Sequence, residues 1–222
     1  MNSRLAAKHQ ETADVWSYFF SKPPAYSFTA GDYAELEIDY APQGGRRWFS
    51  LASAPHENHL QITTRLPHPR SEFKHHLANL SPGQSVNISP PMGNFNLPKL
   101  ASPVLLVAGG IGITPYRSIL LSIKHDASYP MDLIKLVYSA RPGNFLFNES
   151  INFIGDGLKL SPSARFRLDV KKLTALVPDM AQRIIYLSGP EEMMDKLHKE
   201  LLEAGIKYSN QRLSFFPNYS SF

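Results

Sequence analysis

Val104-Leu-Leu-Val-Ala-Gly-Gly-Ile-Gly-Ile-Thr-Pro115 decides how this chain is read. Its first five residues are apolar and predict a buried strand, and a glycine-rich turn follows at once. Thr114-Pro115 then opens a helix, because proline is tolerated in a helix's first turn, where its missing N–H costs nothing. Together these parts make a cradle for a bulky anion. Glycines let the backbone come close, and the free N–H groups of the helix start favour negative charge. The pyrophosphate of a dinucleotide suits such a cradle. The spacing is not the usual G-x-G-x-x-G fingerprint, since Gly109, Gly110 and Gly112 leave the last place to Thr114.

Upstream, Arg46-Arg-Trp-Phe-Ser-Leu-Ala-Ser-Ala-Pro55 carries an Arg-x-aromatic-Ser pattern at Arg47, Phe49 and Ser50. Residues two apart on a strand share a face, so Arg47 and Phe49 are expected to point the same way. They would offer a phosphate fork and a flat apolar surface one step apart, with the Ser50 hydroxyl beside them. Read alone, the segment equally fits an edge strand with a solvated arginine and a core phenylalanine.

A chain of 222 residues can bury a core as one large domain or two small ones. The net charge is +4, and no Lys/Arg run is long enough for a nucleic-acid arm, so no nucleic-acid partner is expected. The absence of cysteine excludes disulfides, a Cys-ligated iron–sulfur cluster and a catalytic thiol. Any one-electron carrier is therefore expected to be a separate molecule. The start, Met1-Asn-Ser-Arg-Leu-Ala-Ala-Lys-His-Gln10, lacks an apolar signal core, and no apolar run reaches membrane-spanning length. A cytoplasmic protein without a membrane partner is the expectation.

Residues 1–99 read as short strands separated by turns, with strand-like runs at Val15–Phe20, Tyr33–Ile38, Leu60–Thr64 and Ser85–Ile88. One helix interrupts near Ser71 to Leu80, where Ser71 can cap and Phe73, Leu77 and Leu80 share a face. An antiparallel β-barrel is expected there. From residue 100 to 222 the pattern changes. Strand-like runs at 104–108, 133–138 and 184–187 alternate with helical runs at 115–124 and 190–204. That alternation predicts an α/β domain with a parallel sheet, whose ligands bind outside the carboxyl ends of its strands. The motifs at 109–115, 139–141 and 188–193 each follow a strand directly.

In this order along the chain, Ala30-Gly-Asp-Tyr33, Arg47-Trp-Phe-Ser50, Ile62-Thr-Thr-Arg65, Ser71-Glu-Phe-Lys74, Pro82-Gly-Gln84 and Pro91-Met-Gly-Asn-Phe95 resemble segments of the ferredoxin–NADP reductase family of flavoproteins. The resemblance continues through Gly109-Gly-Ile-Gly-Ile-Thr-Pro115, Val137-Tyr-Ser-Ala-Arg141, Ser188-Gly-Pro-Glu-Glu-Met193 and Phe216-Pro-Asn-Tyr219. It implies a two-domain protein, a flavin-binding barrel followed by an NAD(P)-binding α/β domain. It gives Arg47 the flavin phosphate, Phe49 the isoalloxazine or ribityl face, and Ser50 a place near N5. Thr64, Arg65, Phe73 and Lys74 would line the rest of the flavin. Where many relatives carry a serine in the short helix, this chain has Lys74, which leaves two readings open: a point charge on pyrophosphate, or a stem lying along the surface. FAD is favoured over FMN.

For the second domain the resemblance gives Gly109, Gly110, Gly112, Thr114 and Pro115 the dinucleotide phosphates. Gly189, Pro190 and Met193 would receive the nicotinamide end, with Ser188 standing where relatives often have cysteine. Ser139 and Arg141 would lie near the adenosine 2′ position, Arg141 being able to fork an NADPH phosphate, so NADPH is favoured over NADH. The aromatic tail would stack Tyr219, or else Phe216, on the flavin. A hydrophobic plug against the sheet is the other reading of those rings. Ser50, Ser188 and Tyr219 are the residues expected at the reacting atoms. No metal site is expected, because His75 and His76 are adjacent on a helix and diverge, and no H-E-x-x-H spacing occurs.

The function implied is FAD-dependent NAD(P)H oxidation, with hydride passing to flavin N5 and electrons leaving to a separate acceptor such as an acidic ferredoxin or a flavodoxin. Two other readings are a free-flavin reductase and a non-catalytic electron-transfer module that keeps its flavin.

Overall fold

The computed structural model describes residues 1–39, 45–151, 158–160 (backbone only) and 168–214. They form two compact units, one of residues 1–96 with Arg117–Asp126, the other of residues 97–116 with 127 onward.

The first unit is built on six strands: β1 (Asn2–Gln10), β2 (Val15–Ser21), β3 (Tyr33–Ile38), β4 (Gly45–Ser50), β5 (His59–Arg65) and β6 (Ser85–Ile88). Their order is β4-β3-β6-β1-β2-β5, every pairing is antiparallel, and the edge strands β4 and β5 approach each other as in a barrel. Alternation explains the core. β3 buries Ala34, Leu36 and Ile38 and leaves Tyr33, Glu35 and Glu37 half-buried. Helix α1 (Glu72–Asn79) follows β5 and adds Phe73 and Leu77 to a core that holds Tyr18, Phe20, Leu36, Leu51 and Ile62. Ser71 caps it by accepting the Lys74 N–H, and Lys8 closes its other end by donating to the carbonyls of Ala78 and Leu80, both at 2.8 Å.

The second unit is a five-stranded parallel sheet of β7 (Val104–Gly109), β8 (Ile134–Ser139), β9 (Leu158–Leu160), β10 (Ile184–Ser188) and β11 (Gln211–Leu213). Its order is β11-β10-β7-β8-β9. Every residue of β7 is buried, as expected of a central parallel strand covered on both faces. Its helices are the first turn of α2 (Thr114–Asp126), whose residues from Arg117 onward belong to the first unit, with α3 (Asn148–Ile151), α4 (Val170–Leu176) and α5 (Glu191–Glu203). Leu173 of α4 and Met194, Leu197 and Leu201 of α5 join Leu105, Val107, Val137, Ile185 and Leu187 in one core. At the amino ends of the strands, buried Arg183 forks Asp179 and donates to the carbonyls of Leu133 (2.9 Å) and Val104 (3.2 Å). The opposite, carboxyl ends are left for ligand chemistry.

The antiparallel barrel and the parallel α/β sheet are the architecture the sequence predicts. β1 was not expected. It buries only Ser3 and Leu5, and its Arg, Ala, Lys, His and Gln residues carry little strand propensity.

Candidate functional site

In the first unit, the predicted residues meet around one aromatic ring. Arg47 on β4 holds its guanidinium 5.6 Å from the centre of the Phe73 ring on α1. Phe49, two residues further along β4, tilts against the same ring with centroids 6.0 Å apart. The shared face follows from the period of the strand. Phe73 is buried and anchors the pair, while Arg47 and Phe49 remain half-buried. Ser50 closes β4 and is buried.

Lys74 does not lie along the surface. It is half-buried, and its Nζ donates to the Arg65 carbonyl at 2.5 Å. Burial pushes its pKa down, and the charges of Arg65 and Arg47 push the same way. Three cations brought this close favour an anion between them. Arg65 has one acid nearby, with its Nε 3.1 Å from the Asp14 carboxylate. Thr64 is buried and pairs with Trp16 across β2. An aromatic surface beside a group of cations has the chemistry of a flavin phosphate site.

In the second unit, the chain runs from β7 outward to β8 and β9, then returns to β10 on the other side of β7. The strand order therefore reverses between β7 and β10, which is where open α/β sheets bind nucleotides. Two loops leave the sheet there and nest. A Cβ on Gly112 would overlap the Ser188 carbonyl and stand 2.5 Å from the Gly189 nitrogen, so only glycine lets these backbones approach so closely. A Cβ on Gly109 would stand 2.5 Å from the Met193 sulfur and 3.0 Å from Pro190. Gly110 differs, with a φ of +52° and open space where a side chain would be.

Thr114 is buried and donates its hydroxyl to the Ile111 carbonyl at 3.1 Å, tying the turn to the helix start. Pro115 sits in the first turn of α2, and Tyr116 anchors the same turn by donating to the Val107 carbonyl at 3.2 Å. The two helix starts at this crevice differ in charge. The first turn of α2 carries no acid, whereas that of α5 carries Glu191 and Glu192. Since helix N-termini attract anions and carboxylates oppose them, a pyrophosphate fits at α2. The start of α5 suits an uncharged or cationic group.

Ser188 is buried, with Gly189 and Pro190 following it into α5. Ser139 and Arg141 end and follow β8 on the other side of β7, and Arg141 is exposed. Phe216 and Tyr219 lie outside the described residues. Among the described residues, no three His, Cys, Asp or Glu side chains gather as metal ligands, and no helix is long and apolar enough to cross a membrane.

One group had no place in the sequence reading. Arg117 of α2 forks Glu57 with bonds of 2.9 and 3.1 Å and donates to the Ala52 carbonyl at 2.7 Å. Burial raises the Glu57 carboxyl, but Arg117 and the Ala54 N–H outweigh it and hold the group below its usual range. The signal was present: Arg117 shares a helix face with buried Leu120, where a charge needs a buried partner.

No family model matches the chain. A glycine betaine monooxygenase reductase subunit from Chromohalobacter salexigens is 30% identical over 233 residues, spanning 94% of this chain and 62% of that protein. The chain spans 57% to 62% of the length of the first curated relatives it matches. A flavohemoglobin from Malassezia yamatoensis, solved with FAD and heme, superposes with a TM-score of 0.79 at 22% identity, covering 97% of this chain and 60% of that one. A ferredoxin NADP+ reductase from Neisseria gonorrhoeae, solved with FAD and NADP, gives a TM-score of 0.77 at 17% identity, covering 97% and 98%. With a barrel followed by a parallel nucleotide-type sheet, the chain shares the fold of these solved FAD-binding proteins and is similar along its length to that reductase subunit.

Proposed function

We propose that this chain is the FAD-dependent NAD(P)H oxidoreductase unit of an electron-transfer system, with residues 1–99 holding the flavin and residues 100–222 the dinucleotide. The observation that carries the proposal is the pairing of two unlike anion sites in one chain. One is the group of Arg47, Arg65 and Lys74 beside Phe49 and Phe73. The other is the acid-free start of α2 behind the Gly109–Gly112 turn.

The residues fit a flavin. Arg47 and Lys74 would bind its phosphates, and Phe49 would cover a ring face. When bound, FAD supplies the hydride acceptor and the one-electron outlet, the chemistry that no side chain here provides. This chain's part is orientation. Ser50 would direct its hydroxyl to the flavin edge, and Ser188 would do the same at the nicotinamide carboxamide. Arg141, exposed after β8 with no acid in Ser139-Ala-Arg141, favours NADPH over NADH. The reductase-subunit relative supports an oxygenase component as acceptor, beside a ferredoxin or flavodoxin.

The purified protein is expected to be yellow and to bleach under NAD(P)H without oxygen. A flavin-loaded sample that stays oxidised under excess NADH and NADPH overturns the enzyme and leaves a flavin-holding electron-transfer module. Flavin lost on gel filtration, with turnover restored by added flavin, makes it a free-flavin reductase.

A further inference from the structure

We infer that Arg117 and Glu57 form a positioning pair for the backbone beyond Ser50, and that their charge balance sets the redox potential of a flavin held by β4. The inference rests on the flavin reading proposed above.

Leu51, Ala52, Ser53 and Ala54 leave β4 directly after Ser50, and all four are buried. Their polar groups are tied on two sides. The Leu51 N–H donates to the Asp32 carbonyl at 3.0 Å, and the Ala52 N–H donates to the Gln61 carbonyl at 2.8 Å. The Ser53 hydroxyl accepts the Gln61 N–H at 3.0 Å, while the Ser53 carbonyl accepts the Ser118 hydroxyl at 2.6 Å. Arg117 and Glu57 each tie one further position. Arg117 donates to the Ala52 carbonyl at 2.7 Å, and Glu57 accepts the Ala54 N–H at 2.6 Å. Through their mutual fork, the two form a brace across residues 52–57.

Neutral groups suffice for such closure, as the Ser118 hydroxyl shows one residue along. An ion pair with Arg117 8% exposed is a costly alternative, since both charges lose water. In a poorly solvated place its field is strong. Two opposite charges, Arg117 on the Ala52 carbonyl and Glu57 seven residues beyond Ser50, therefore act on a redox group that Ser50 touches. Removing one changes the net charge beside that backbone by one unit.

The test is anaerobic redox titration of the flavin-loaded full chain. Glu57→Gln removes the negative charge and should raise the flavin potential by stabilising the electron-rich reduced form. Arg117→Gln removes the positive charge and should lower it, His59 remaining 3.9 Å from Glu57. A role in stability alone lowers both melting temperatures and gives no such split in sign. Potentials that stay at the wild-type value, or move together, overturn the inference. Should either variant not fold, Arg117→Lys decides, since it keeps the charge but cannot fork Glu57 while holding Ala52. Positioning predicts a fall in kcat on the order of tenfold with KM kept, as expected for a small misplacement of reacting groups. A lower melting temperature with kcat unchanged overturns the inference. A wild-type protein that binds no flavin, or whose flavin NAD(P)H does not reduce, overturns the function proposed above instead.

Discussion

Arg47 lies over the Phe73 ring, 5.6 Å from guanidinium to ring centre, and Phe49 tilts against the same ring from two residues along the strand. A cation and an apolar face are thereby held side by side by one buried side chain. The arginine is half-buried and already stacked, so little of its freedom remains to be lost on binding a phosphate.

Arg47→Ala should therefore weaken flavin retention without unfolding the barrel. Loss of a charge-assisted hydrogen bond costs about 1.5–3 kcal/mol, which is roughly tenfold to a hundredfold in affinity. Fluorescence titration of apoprotein with FAD measures it, and the melting temperature of the apoprotein should move little. Unchanged affinity would return Arg47 to the role of a surface arginine resting on Phe73.

Gly112→Ala and Gly110→Ala should separate packing from conformation. The new methyl at 112 meets the Ser188 carbonyl and the Gly189 nitrogen, backbone that cannot turn aside. A loss of about 3 kcal/mol, at the upper end for overpacking, is expected together with loss of NAD(P)H binding. At 110 the methyl enters open space, and only the φ of +52° opposes it, at about 1 kcal/mol. Chemical denaturation of both variants reads the difference. Equal costs would mean that the two loops do not nest as described.

How much of this was legible beforehand follows from the range of each interaction. The Gly109–Thr114 turn and the Ser71-capped helix are local, written in glycines, a cap and an apolar spacing within a dozen residues. The pairing of Arg47 with Phe49 is local too, since it needs only the two-residue period. The Phe73 ring that both touch lies more than twenty residues away; periodicity placed it on a buried helix face, and only family resemblance placed it beside Arg47 and Phe49. Arg117 and Glu57 are 60 residues apart, and no spacing announces a partner at that distance. β1 was hidden for another reason. Its pairing with β2 and β6 is made by backbone, while its side chains mostly face outward.

Acid should expose the Arg117–Glu57 pair. The Glu57 carboxyl is held below its usual value in the folded protein, so the unfolded chain binds its proton more readily. Its stabilising contribution is therefore full above the unfolded pKa of about 4.3 and is lost as pH falls through the lower folded value. In Arg117→Gln the chief attraction is gone, leaving the Ala54 N–H and His59 against burial, so the carboxylate is held less firmly. The stability gap between wild type and variant should then be widest near pH 7 and narrow below about pH 5. Melting temperatures of both proteins across that range test it, and a gap independent of pH would mean that the carboxylate's charge is not what Arg117 stabilises.

The tail offers the last test. β11 runs parallel to β10 with Leu213 opposite Leu187, and the Ser214 N–H donates to the Leu187 carbonyl at 2.9 Å. Ser214 therefore lies at the carboxyl edge of the sheet, level with Ser188, where a nicotinamide is proposed to bind. If Tyr219 or Phe216 competes with nicotinamide for one flavin face, removing residues 215–222 should tighten NAD(P)H binding. A ligand admitted only by the open state binds more weakly in proportion to how rarely that state occurs, so deleting the competitor recovers that factor. Flavin fluorescence should rise as well, because a stacked aromatic ring is a quencher. A plug against the sheet predicts the reverse, a lower melting temperature and no gain in affinity. A truncated protein that keeps its flavin, melts as the full chain does and binds NAD(P)H no more tightly would remove the competing ring from this account.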